Sequence, residues 1–145
     1  MQMTHIAGPT TPEQVMGSFI NKTGATSVVG RVVAHDTVTL RDGKACIQPV
    51  TANLSAVIGP MLQAGIADGD PVLVGMHGTF QTLVAGKVGS GGNSNPGDIL
   101  IPVNAQYHVI FSAASTGLSG LAVLNDAAVA QDAAAALKKV FWRGL

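Results

Sequence analysis

The sequence predicts a small all-β domain, a barrel or a sandwich, with at most one or two short helices. Short apolar runs alternate with turns containing Gly and Pro along most of the 145 residues, a spacing typical of β-rich domains. Residues 57–84 show the pattern best, with turn signals at Gly59-Pro60 and Asp68–Pro71. Residues 80–84 then alternate at a period of two, as strands do. We interpret the segment as strand, turn, strand, turn, strand, with the last turn at Gly78.

An extended N-terminal arm, residues 1–18, precedes the predicted domain, residues 19–145. Gly8, Pro9 and Pro12 break any long regular element in the arm. We therefore expect the arm to become ordered only where something binds it. Further strands are predicted on both sides of the central segment, at residues 27–34, 37–40, 45–50, 98–103 and 107–111, and residues 121–124 are again apolar.

A weak internal repeat relates residues 30–78 to residues 97–144. Gly30–Val33 (GRVV) resembles Gly97–Leu100 (GDIL). In this alignment Gly69–Val74 corresponds to Ala136–Phe141, and Gly78 corresponds to Gly144.

The last twenty residues support two interpretations. The Ala-rich residues 126–136 favour a helix by local propensity. Aligned with the first unit of the repeat, Leu137–Arg143 is a strand that closes the fold. We prefer the strand, with the alanines forming a loop or one short helix before it.

The composition argues for a protein whose surface is covered by other protein. Only 11% of residues are charged, against about 25% in ordinary soluble domains, so we expect a homo-oligomer or a larger assembly. The charges of eight basic and eight acidic residues cancel, so the chain lacks the excess of positive charge that is typical of proteins that bind nucleic acid. No apolar run is long enough for a membrane span, and the N-terminus lacks the pattern of a signal peptide.

No residues form a recognisable catalytic, cofactor-binding or metal-binding set, and the chain is predicted not to be an enzyme. His35 and Asp36 are neighbours in a strand and should point to opposite faces. The four histidines lack a close metal-ligand spacing. Cys46 is interpreted as a buried structural thiol. The Gly-rich residues 86–97 lack the ending of a phosphate-binding loop and are predicted to be a flexible turn, while Trp142 suits a core or an interface equally.

Several short motifs follow one another in a definite order. They are Asn21–Gly24, Gly30–Val33, Val57–Gly59, Ala67–Val74, Gly78–Phe80, Gly97–Leu100, Gly120–Val123 and Lys139–Gly144. In this order they resemble phage head decoration proteins, also called capsid cement proteins. The likeness covers residues 19–145, whereas the N-terminal arm and the Ala-rich stretch depart from the pattern.

This resemblance implies a structural virion protein, made in the host cytoplasm and bound to the outer surface of a phage capsid. Its partner would be the major capsid protein, whose subunits it would bridge, and the family is often trimeric. It implies no catalytic residue and no cofactor. Contacts with partners are expected from the arm, the start of the domain and the C-terminal aromatic cluster, at Ile6, Val15, Phe19, Trp142 and Arg143.

Two other classes of function remain open from the sequence. One is a β-rich module that binds a ligand or carbohydrate, although one Trp, one Tyr and four Phe provide little for an aromatic platform. The other is a small hydrolase that uses Cys46 with a histidine.

Overall fold

Nine β-strands and one short 3₁₀ helix (Thr51–Ala56) form the described part of the chain, residues 14–39, 42–87, 92–111 and 122–143 of a computed structural model. The prediction of an all-β domain with at most one or two short helices is confirmed. The strands are β1 (Val15–Asn21), β2 (Val32–His35), β3 (Ala45–Ile47), β4 (Val57–Pro60), β5 (Pro71–Ala85), β6 (Ile99–Pro102), β7 (Val109–Phe111), β8 (Ala122–Leu124) and β9 (Ala136–Arg143).

Strand β5 organises the fold, because its two halves belong to two different groups of strands. Its first half pairs with β1 and its second half with β9, both antiparallel. His77 is opposite Val15 of β1 and Arg143 of β9, so these strands lie on opposite sides of β5. The predicted turn at Gly78 is wrong, because Gly78 lies inside β5, which is 15 residues long in total. A side chain at Gly75 would collide with the ring of Phe80, which packs directly over the backbone there.

The strand pairings close into two rings of five. In ring 1, β1 pairs with β3, β3 with β2, and β2 with β4. The Met61–Val74 bridge then joins the end of β4 to the first half of β5, which returns to β1. In ring 2, the second half of β5 pairs with β7, and the ring continues through β6, β8 and β9 back to β5. Each ring has one parallel contact, between the first and third of its strands in chain order. These are β1 and β3 in ring 1, and β5 and β7 in ring 2.

Equivalent residues in the two rings follow from these pairings. Asn21 is opposite Cys46 in the parallel contact of ring 1, and Val84 is opposite Val109 in that of ring 2. Counting back along the strands from these two pairs matches each residue of β1 with an equivalent residue in the second half of β5.

Two glycines show the same correspondence at the start of β2 and β6. The amide of Gly30 donates to the carbonyl of Met61 at 2.9 Å, and that of Gly97 donates to the carbonyl of Leu124 at 2.8 Å. The φ angles of the glycines are 84° and 89°, which favour residues without a side chain.

The rings differ where their first and third strands diverge. In ring 1 the amide of Ile20 donates directly to the carbonyl of Lys44 at 2.8 Å. The equivalent groups in ring 2, the amide of Leu83 and the carbonyl of Tyr107, bond instead to the segment Gly30–Val32, each at 2.8 Å. A piece of ring 1 therefore fills the gap in ring 2 and locks the two rings together.

Strand β2 is buried on both faces because it lies between two cores. Val33 belongs to the core of ring 1, while Val32 and Ala34 belong to that of ring 2. All three are fully buried. The core of ring 1 also contains Phe19, Cys46, Ile58, Met61, Val72 and Val74. The core of ring 2 also contains Val57, Phe80, Val84, Leu100, Val109, Ala122, Leu124, Val129, Val140 and Trp142.

Two further expectations require correction, and one alternative is decided. Strand β1 begins at Val15, four residues before the expected start of the domain, while residues 1–13 of the arm lie outside the described residues. Residues 37–39 form no strand, because the carboxylate of Asp36 accepts the amides of residues 38 and 39 and turns the chain. Leu137–Arg143 lies within β9, so the strand interpretation of the C-terminal segment is correct.

Candidate interaction surface

Two of the predicted contact residues, Phe19 and Trp142, lie in the cores. Trp142 is 1% exposed, and its indole Nε1–H donates to the hydroxyl of Thr82 at 3.0 Å. Phe19 packs in ring 1, with its ring edge-on to that of His35 at 5.4 Å between centroids. Both aromatic side chains are therefore packed inside the chain and are not available at its surface.

Val15 and Arg143 are at the surface, on opposite sides of His77. Val15 is 44% exposed and begins β1, whereas Arg143 is exposed at the end of β9. The ring Nδ1 of His77 lies 2.9 Å from the carbonyl oxygen of Arg143. Ile6, the remaining predicted contact residue, lies outside the described residues.

The outer face of ring 1 carries an uncharged, largely apolar patch that the sequence analysis missed. We call this the β1–β5 face and define it as Met16, Ser18, Ile20, Pro71 and Leu73. Ser18 is opposite Leu73, and Ile20 is opposite Pro71. Met16 is 51% and Leu73 is 37% exposed. Alternating burial along β1 and β5 places these side chains outward, because Phe19 of β1 and Val72 and Val74 of β5 point into the core.

The equivalent face of ring 2 is more polar. We call it the β5–β9 face and define it as Thr79, Gln81, Leu83, Leu137 and Lys139. Gln81 is opposite Lys139, and Leu83 is opposite Leu137. Because Ser18 and Gln81 each precede the parallel contact of their ring by three residues, Lys139 takes the position that Leu73 has in ring 1.

Two of the residues considered for catalysis, Asp36 and Cys46, are buried. Burial raises the pKa of the Cys46 thiol to about 11, so it is protonated at neutral pH and a poor nucleophile. Asp36 accepts the backbone amides of Val38 and Thr39 at 3.0 and 2.8 Å. Within the described ranges, no three His, Cys, Asp or Glu side chains are grouped closely enough to hold a metal ion.

A cavity of about 660 Å³ lies beside the end of β5 and the segment before β9. Its walls include Ala85, Ile110 and Ala133, with Lys87 and His108 among the polar residues. Burial lowers the pKa of His108, which favours the neutral imidazole. The volume is within the range of small-molecule sites.

Comparisons with known proteins do not assign the chain to a family: no protein-family model matches it, and no curated protein is significantly similar to it. None of the described residues forms a helix long and apolar enough to cross a membrane.

The sequence did contain a signal for the β1–β5 face. Met16, Ser18 and Ile20 alternate with Gly17 and Phe19 at a period of two. The expected end of the arm at residue 18 separates Met16 and Ser18 from Ile20. With a boundary before Val15, the three residues belong to one strand and form one outward-facing row.

Proposed function

We propose that this chain is a structural protein of a phage particle, bound to the outer surface of the capsid, where it bridges neighbouring subunits of the major capsid protein. The observation that carries the proposal is the doubled architecture, in which two equivalent rings are held in one body. A shell presents identical subunits side by side. A chain with two equivalent units is suited to contact two of them at once.

The interlocked rings favour a bridging role. Gly30–Val32 bonds to both sides of the gap in ring 2, and both cores are formed around β2. Binding energy is therefore not spent on ordering one ring relative to the other. Many modest contacts of this kind, repeated over a lattice, hold it strongly.

The low charge of the chain and the resemblance to capsid cement proteins support the same proposal. With 11% charged residues, much of the surface suits contact with protein more than with solvent. Burial raises the pKa of the Cys46 thiol, so this cysteine is a poor nucleophile at neutral pH.

Co-sedimentation with capsids of the phage that encodes the chain tests the proposal. We expect saturable retention on expanded capsids, with a fixed number of chains per capsid subunit. Albumin at equal concentration provides the control for trapping in the pellet. Recovery of the chain only in the supernatant would contradict the proposal.

A second candidate, a ligand- or carbohydrate-binding module, is favoured by the 660 Å³ cavity next to Lys87 and His108. Its apolar walls could hold a small ligand whose polar group meets these side chains. A glycan array and a thermal-shift screen of small metabolites test it. A specific hit that is lost in Ile110→Asp, with no retention on capsids, would favour this function over the first.

A further inference from the structure

We propose that the 660 Å³ cavity at the end of β5 binds a small, elongated molecule with an apolar body and one anionic head group, and that Lys87 binds this head. Ligand binding here goes beyond the bridging of capsid subunits. It deepens the second candidate function, on whose cavity it rests, by naming the class of ligand.

The cavity lies on the outer face of ring 2, where β5, β7 and the segment before β9 meet. Ala85 of β5 is opposite Ile110 of β7, and both line the cavity. Val84 and Val109, their neighbours in sequence, belong to the core of ring 2, so both cavity residues point away from that core. Ala85 is nevertheless only 6% exposed. This part of the outer face is therefore enclosed by other parts of the chain.

Two polar wall residues, Lys87 and His108, lie on either side of the Ala85–Ile110 pair. Lys87 follows Ala85 by two residues, whereas His108 precedes Ile110 by two. Because β5 and β7 run parallel, the two polar residues are displaced in opposite directions along the strands. A ligand that reaches both of them is therefore elongated and lies across the apolar pair.

The charges of the wall favour an anion. Lys87 is half-buried, whereas Asp132, the acidic wall residue, is exposed. The carboxylate of Asp132 also accepts the side-chain amide of Gln131 at 3.4 Å. Solvent screens an exposed charge more than a half-buried one, so the ammonium of Lys87 dominates inside the cavity. Burial lowers the pKa of His108, so its neutral imidazole offers a hydrogen bond without a charge.

Ring 1 has an equivalent cavity of about 540 Å³ with different chemistry. Lys22 of its wall takes the place that Ala85 has in ring 2. Asp36 takes the place of Val103. The same fold therefore accepts charged side chains at both positions, and folding does not require the apolar pair of ring 2. An apolar ligand body accounts for that pair.

Isothermal titration calorimetry of the full-length chain with decanoate, below the concentration at which decanoate aggregates, tests the proposal. Butyrate has the same head with a short body, and decyltrimethylammonium has the same body with a cationic head. We expect one saturable site for decanoate, with a Kd at least about tenfold lower than for either of the other two probes.

Variants of the wall test how the ligand is held. Lys87→Gln should raise the Kd for decanoate at least about tenfold, because a charge-assisted hydrogen bond is lost. Asp132→Asn should not raise it, since a negative charge is removed and asparagine also adopts the left-handed conformation of Asp132, whose φ is 58°. Ala135→Leu should abolish binding by filling the cavity.

The matched control is Lys139→Gln on the β5–β9 face, which changes the same charge away from the cavity and should bind decanoate like the wild type. Circular dichroism checks the fold of every variant. No binding of decanoate at millimolar concentration, tighter binding of the cation, or wild-type affinity in folded Lys87→Gln and Ala135→Leu would overturn the proposal.

Capsid co-sedimentation of the same wild-type sample separates this proposal from the bridging function. A chain that binds decanoate but stays in the supernatant contradicts the bridging function alone. A chain that is retained on capsids but binds no decanoate contradicts the ligand site alone.

Discussion

The indole Nε1–H of Trp142 donates a hydrogen bond to the hydroxyl of Thr82, 3.0 Å away, inside ring 2. This pair joins β9 to the second half of β5 at a site where both residues are almost fully buried. It explains why the tryptophan belongs to the core, since burial leaves its one polar atom satisfied.

Removing the acceptor should destabilise the protein. Thr82→Val leaves the indole N–H buried without its partner, and we expect the free energy of unfolding to fall by about 1–3 kcal/mol. Urea unfolding followed by circular dichroism measures the change. Arg143→Ala, next to the tryptophan but exposed, is the control and should alter stability by less than about 0.5 kcal/mol. Equal stability of Thr82→Val and wild type would show that the bond contributes nothing.

Gly30→Ala should be more harmful than Gly97→Ala, although the two glycines are equivalent. Both have positive φ angles, so each substitution introduces backbone strain of about 1–2 kcal/mol. At Gly30 the new methyl group would also collide with the side chain of Leu137, whereas at Gly97 no atom lies within 4 Å. Thermal unfolding of the two variants ranks them. The reverse order would refute the packing of Gly30 against β9.

Stability should decrease at alkaline pH because of Cys46. Burial raises its pKa in the folded protein from 9.0 to about 11, so the unfolded chain loses this proton first. The contribution is fully present below pH 9 and is lost as the pH rises towards 11. Unfolding measured from pH 8 to 11 should show a steeper loss in wild type than in Cys46→Ala. Parallel curves for the two proteins would mean that the thiol is not desolvated.

The two rings should unfold together. They share β5, and ring 2 is completed by a segment of ring 1, so neither is complete alone. The single tryptophan, Trp142, reports on ring 2, and the single cysteine, Cys46, reports on ring 1. Fluorescence of Trp142 and thiol labelling of Cys46 in pulses during urea unfolding should give coincident transitions. Two separated midpoints would show that the rings are independent.

The strand content could be predicted from local patterns, but the path of β5 could not. Period-two alternation from residue 80 to 84 reports which side chains share a face. Glycine is common in turns, yet Gly75 and Gly78 lie inside β5. Residue 75 must be glycine because the ring of Phe80 packs on the backbone there and leaves no room for a side chain. This contact depends on how a strand bends within two rings, which no local pattern contains.

The candidate surface was harder to predict than the fold. Exposure of Leu73 and burial of Trp142 are set by which side of a closed ring each strand turns outward. A tryptophan followed by an arginine suits a surface anchor as well as a core, and the sequence alone does not decide between them. The comparison of Leu73 with Lys139 required the register of both rings.

The claim that the chain stabilises a phage shell is tested most directly by heating DNA-filled capsids with and without it. DNA release, followed by a dye that cannot enter intact capsids, gives the temperature at which the shell fails. We expect capsids saturated with the protein to retain DNA to a higher temperature than bare capsids, because bridged subunits must separate together. Release at the same temperature, despite bound protein in the pellet, would contradict a bridging role.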